Sequence, residues 1–206
     1  MTPILYGHPF SQHSRRVTSL LEEEGIDYEF RMVDLVKGEH VSPSYLAINP
    51  NHQVPTLIDG DIKLHESNAI LRYLCLKHDL TDWYPSDLKT RATIEQWLDW
   101  NQCRLSRTVT DVVLNTVFLG EHGDKAAIER GHKALEELLP ILSDGLANTA
   151  FIAGDKPSIA DISLGANITH LALAGAAPTQ PNITHWLGRV MDIEGFRKAM
   201  PPKPGQ

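Results

Sequence analysis

Four short segments in the first 70 residues carry side chains whose types and spacing suit an extended, charged ligand. The first is YGHPFSQHSRR, in which Ser11 follows an apolar run and precedes helical spacing. A serine there is a helix cap. Its hydroxyl can also donate to an anion such as a thiolate, helped by the positive end of the helix. Tyr6, which ends the apolar run, is the rival donor, and both readings stand. The second segment is Gln53-Val54-Pro55. Proline is excluded from a central strand. A cis Val54–Pro55 bond at the strand start would turn the Val54 backbone outward, where it can pair with an extended peptide; a trans proline on an edge strand is the alternative. The third is Glu66-Ser67, at the start of another helical stretch. Helix-start N–H groups attract a carboxylate, and Glu66 can meet an ammonium, so the pair could grip an α-amino acid head group. A plain cap explains Ser67 as well. The fourth is His40 in KGEHVSP, either solvated or paired with a terminal carboxylate.

The spacing also predicts the elements that hold these residues. Residues 3–6 suit a buried strand, 14–24 a helix ended by Gly25, and 27–33 a second strand. Asp59-Gly60 between 53–58 and 61–65 reads as a hairpin turn, since both residues tolerate positive φ. Residues 67–78 return to helical period. A polar linker, 81–87, contains Trp83-Tyr84-Pro85, with aromatics expected to dock on one domain or the other. From Leu88 onward every pattern is helical: 88–118, 125–148, 159–174 and 182–192. Ser158 and Asp161, three apart after Pro157, form a capping-box arrangement. The tail PPKPGQ cannot continue a helix.

Composition narrows the function. The 206 residues are 42% hydrophobic and 22% charged, as in an ordinary globular protein. A net charge of −7 disfavours nucleic acid and anionic membranes as partners. Cys75 and Cys103 form no CxxC, so neither a disulfide framework nor a metal site is expected, and both read as small buried residues. MTPILYGHPF has neither the basic start nor the apolar core of a secretory leader, and the most apolar stretch, 159–177, is interrupted by Asp161, Asn167 and His170. A cytoplasmic protein without a membrane span is the expectation.

Taken together, these segments resemble cytosolic glutathione transferases. QVPTL is similar to the family's cis-proline loop and ESNAI to its glutamyl-recognition motif; EEEGIDYEF, NPNHQVPTLIDGD and PSIAD look like further family segments. The resemblance covers nearly the whole chain and is strongest to the theta and phi classes. It implies an α/β thioredoxin-like domain over residues 1–80 and an all-α helical domain over 88–206. It places the catalytic serine at Ser11, whereas the tyrosine classes would place their catalytic group at Tyr6. Glutathione contacts fall on His40, Gln53, Val54, Pro55, Glu66 and Ser67. Position 11 and its neighbours hold no cysteine, so conjugation is expected rather than disulfide reduction. Glutathione would be a co-substrate, with no permanent cofactor and no metal. The partner would be a small hydrophobic electrophile, lying between the domains against Phe10, Arg104 and Arg107. A peroxide could be reduced by the same thiolate, and a homodimer is implied. The alternative is a non-catalytic binding protein of the same fold.

Overall fold

A computed structural model describes residues 2–201. The chain divides into two units, Met1–Leu80 with Asp192–Gln206, and Thr81–Met191.

The first unit is built on a four-stranded sheet of order β2-β1-β3-β4. Its strands are β1 (Ile4–Gly7), β2 (Glu29–Met32), β3 (Thr56–Asp59) and β4 (Ile62–His65). β1 and β2 are parallel and joined through helix α1 (Gln12–Glu23); β1–β3 and β3–β4 are antiparallel. Gly60 turns the hairpin at φ 63°, in the left-handed region that the Asp-Gly signal implies. A short helix, α2 (Pro43–Leu46), precedes β3, and α3 (Ser67–Lys77) follows β4. Alternation along β1 sends Leu5 and Gly7 to the α1 side and Tyr6 to the other. Leu5, Leu57, Val17, Leu20, Leu21, Ile70, Leu71 and Leu74 are all fully buried and form the core.

The sequence assigns 88–206 to one helical domain, but the chain from Asp192 groups with the first unit. The cause is a short helix, α9 (Glu194–Lys198), too brief for its periodicity to register. Phe196 is fully buried, with the Arg15 guanidinium 5.8 Å from its ring centre. Gly195 lies directly on the α1 backbone at Ser19 and Glu23, and its N–H donates to the Glu23 carboxylate at 2.6 Å. A methyl there would strike backbone. Gly195→Ala should therefore lift α9 from α1 at a cost of about 1–3 kcal/mol, measurable as faster amide exchange confined to residues 193–199.

The second unit is wholly helical apart from one isolated bridge, Phe151 to Gly154, among its described residues. It holds α4 (Leu88–Trp100), α5 (Ser106–Val113), α6 (Lys125–Gly145), α7 (Ile159–Leu171) and most of α8 (Pro181–Asp192). Helix α7 is buried around nearly its whole circumference and runs through the core, its polar side chains Asp161, Ser163 and Asn167 included. The predicted 88–118 segment is one helical run widened by π turns at Asn101–Leu105 and Leu114–Phe118. Side-chain groups compete for carbonyls beside these turns: Thr108 Oγ1 bonds the Arg104 carbonyl, and Asn115 Nδ2 bonds that of Asp111. The linker aromatics Trp83 and Tyr84 are buried; the Trp83 carbonyl accepts from Ile159 N–H, and the Tyr84 hydroxyl donates to Glu95 at 2.6 Å.

Cys75 is buried, but Cys103, expected to be buried too, is exposed on the first π turn. Among the described residues no helix is long and apolar enough to cross a membrane. The expectation for the tail, apart from Pro201, falls on residues outside those described.

Candidate active site

Strand register brings the four sequence segments to one end of the sheet. Tyr6 pairs with Thr56, and Thr56 with His65. The segments leaving β1, entering β3 and leaving β4 therefore emerge side by side. Met32 pairs with Gly7, which sends the segment after β2 the same way. In open sheets, ligands bind in the crevice outside the carboxyl ends of parallel strands, and that is where Ser11, His40, Val54 and Glu66 lie.

Ser11 caps α1. Its hydroxyl oxygen accepts from Ser14 N–H at 3.2 Å, and its own N–H donates to the His8 carbonyl at 2.9 Å. With a lone pair engaged, the O–H hydrogen can be donated outward, beside the positive end of a 12-residue helix. Tyr6 is placed differently. Its hydroxyl accepts from Arg31 Nη1 at 2.9 Å, and the Arg31 guanidinium lies 5.6 Å from its ring centre. Its ring meets Tyr45 edge-on, on the sheet face away from α1.

The Val54–Pro55 bond is cis. The loop before it is clamped by two buried residues that sequence reasoning missed. Tyr45 Oη donates to the Gln53 carbonyl at 2.7 Å, and Asn49 Nδ2 donates to the same carbonyl at 2.9 Å. Both also reach Thr56 Oγ1, at 3.1 and 2.9 Å. This fixes Val54 outside the ladder, which begins at Thr56. Asn49 had a readable signal, lying in NPNHQVP four residues before Gln53, but an asparagine in a turn also has a local role.

Glu66 occupies φ 69°, ψ 109°, a sparsely populated conformation that costs of the order of 1–3 kcal/mol. It is the N-cap of α3, yet its side chain makes no capping hydrogen bond. Ser67 is the first helical residue instead, and its Oγ accepts from Arg16 Nη1 at 3.2 Å. A helix start of this kind attracts a carboxylate. The Glu66 side chain is 57% exposed, and its carboxylate stands 3.8 Å from His65 Nδ1. His40 sits in a 3₁₀ turn (Glu39–Val41); its Nδ1 is buried and meets no hydrogen-bond partner among the described residues.

The chain has relatives of known kind. Residues 1–75 match the model of the glutathione S-transferase N-terminal domain, and residues 125–189 that of the C-terminal domain. The human glutathione S-transferase theta-1 is 36% identical over 194 residues, covering 90% of this chain and 81% of the relative. The chain belongs to the glutathione S-transferase family. The transferase is also 33% identical to maize glutathione S-transferase 3, over 99% of this chain and 98% of that one. Its fold superposes on poplar glutathione transferase F1 with a TM-score of 0.89 at 30% identity, covering 97% and 96% of the two chains. The human T1-1 transferase gives 0.89 at 31% identity, covering 98% and 93%.

The remaining candidates of the transferase divide between the units. Phe10 is half-buried in the first, its N–H donating to His8 Nδ1 at 3.3 Å. Arg104 and Arg107 are exposed in the second, on the first π turn and on α5. The same unit carries exposed Leu114, Val117, Phe118 and Leu119, and Phe118 stacks on His170 at 6.1 Å. Thiol chemistry by the protein's own buried cysteine is disfavoured: burial pushes the Cys75 thiol up to about 12. If Glu66 holds the ligand ammonium, Glu66→Gln should raise KM for glutathione about tenfold, the lower end expected for a partly screened charged hydrogen bond, with kcat nearly kept.

Proposed function

We propose that this transferase ionises glutathione through the Ser11 hydroxyl and directs the thiolate onto hydrophobic electrophiles. The observation carrying this is the contrast between two hydroxyls. Both hydroxyls accept a hydrogen bond and keep a hydrogen to donate, but Ser11 stands at the positive end of α1, whereas Tyr6 lies beside Arg31 on the sheet face away from α1.

The magnitudes suffice. A free thiol titrates near pH 8.5, and lowering it by about two units requires about 2.7 kcal/mol. A hydrogen bond to a charged acceptor supplies about 1.5–3 kcal/mol, and a helix end about 0.3–1 kcal/mol more. Ser11 is a donor throughout and is never deprotonated. The thiol proton leaves to solvent. The thiolate then forms a carbon–sulfur bond and expels the leaving group with its electron pair.

In this reading Glu66 pairs with the γ-glutamyl ammonium, while Ser67 and the α3 N–H groups take its carboxylate. Val54 pairs with the cysteinyl backbone through its own N–H and C=O, in the loop shaped by Pro55 and Gln53. His40 Nδ1 meets the glycine carboxylate, satisfying an atom that is otherwise buried without a partner. Phe10, Arg104 and Arg107 are the candidates for the electrophile, and an acceptor site of broad specificity is expected. A homodimer in the cytoplasm completes the proposal.

Retention on immobilised glutathione, followed by assay with an activated aryl halide and an organic hydroperoxide, tests the reading. Elution by free glutathione and turnover of at least the halide are expected. Retention with no turnover of any electrophile would leave a carrier in place of an enzyme.

A further inference from the structure

Arg16 is the least expected residue in α1. It lies four residues before Leu20 on the buried stripe, where an apolar side chain belongs. It is fully buried. A buried guanidinium costs several kcal/mol unless hydrogen-bonded and compensated, so its surroundings should show what offsets that cost. Nη1 reaches across to α3, donating to Ser67 Oγ at 3.2 Å and to Asn68 Oδ1 at 3.4 Å. Both are neutral acceptors in the first turn of the helix whose N-cap, Glu66, makes no side-chain capping bond. Burial and the neighbouring Arg15 push Arg16 down to about 9, while Glu66 pulls it up, so it stays cationic at neutral pH. Glu66 itself is turned partly to solvent.

The geometry points to Arg16 as a positioning residue for the glutamyl carboxylate, acting through Ser67 and the α3 N-terminus. Because Ser67 Oγ accepts from Arg16, its O–H hydrogen must point elsewhere, and a ligand carboxylate is the acceptor that completes the chain. A hydroxyl polarised by a charged donor is a stronger donor in turn. The guanidinium also adds a whole positive charge behind a helix end worth about half of one. Arg16 touches no ligand in this scheme. It links the helix that begins after Ser11 to the helix that begins after Glu66, and its effect is confined to the carboxylate.

The inference rests on the glutathione-site reading, and a chemical cycle separates the two. Affinities of wild type and Arg16→Met are measured for glutathione and for 4-aminobutyryl-cysteinyl-glycine, which lacks the glutamyl carboxylate. Wild type should bind the analogue at least about tenfold more weakly than glutathione. Arg16→Met should lose at least about tenfold for glutathione but stay within about twofold of wild type for the analogue, with saturated kcat and bound-thiol pKa unchanged. Equal losses for both ligands would make Arg16 purely structural and overturn the inference alone. A wild type that does not discriminate between the ligands would overturn the glutamyl-site reading itself. Should Arg16→Met fail to fold, Asn68→Asp neutralises the guanidinium in place with an isosteric carboxylate. It is expected to give the same selective loss, and undiminished glutathione affinity in that variant would contradict the proposal.

Discussion

Ser11→Ala is expected to lower turnover of an activated aryl halide at pH 6.5–7 by at least about tenfold while leaving glutathione affinity nearly unchanged. The substitution removes one donor to the thiolate, about 1.5–3 kcal/mol, and leaves every carboxylate and ammonium contact in place. The helix end remains, so activity falls without vanishing. Above the free thiol pKa of about 8.5 solvent hydroxide does the ionising, and the two enzymes should converge. That pH dependence distinguishes lost thiolate stabilisation from a distorted site. The substitution also deletes the α1 cap to Ser14 N–H, at about 1 kcal/mol of stability, so both proteins must be compared well below their melting temperatures. Tyr6→Phe should do much less, because its hydroxyl serves Arg31. The reverse ranking would assign the chemistry to the phenol.

The largest stability effect belongs to Asp161. Burial pushes its carboxyl up, while four donors converge on it: Ile152 N–H at 2.8 Å, Ser158 N–H at 2.9 Å, Ser158 Oγ at 2.8 Å and Trp186 Nε1 at 2.8 Å. Asp161→Ala strands three buried N–H groups, at about 1–3 kcal/mol each. A loss of at least about 3 kcal/mol takes a large fraction of a typical 5–15 kcal/mol of stability. The urea midpoint should drop sharply, and at 37 °C soluble yield should fall with it. Ser158→Ala removes only the cap and its hydroxyl contact, so about 1 kcal/mol is expected. A midpoint unchanged in Asp161→Ala would mean that water replaces the carboxylate.

The capping box was legible because it is local: a serine, an aspartate three residues on, and an apolar run. Its partners Trp186 and Ile152 were not, since Trp186 lies 25 residues away in sequence and reaches the carboxylate only after α8 packs. The same division runs through the site. Asp59-Gly60 announces the hairpin, and QVP and ES announce their turns, because each is decided within a few residues. Arg16 carried a signal, a charge on an apolar stripe, but its target on α3 is a tertiary contact 51 residues away. Helix α9 is five residues long, and its docking depends on one glycine meeting α1. The π turns escaped notice because apolar spacing of three and four persists through a run that is locally widened.

Titrating the thiolate absorbance of bound glutathione examines the Ser11 donor with no electrophile or turnover involved. Wild type should give an apparent pKa about two units below the free value, and Ser11→Ala one close to the free thiol. A sulfur still protonated at pH 7 in the wild-type complex, or an absorbance lost in Tyr6→Phe and kept in Ser11→Ala, would contradict the account.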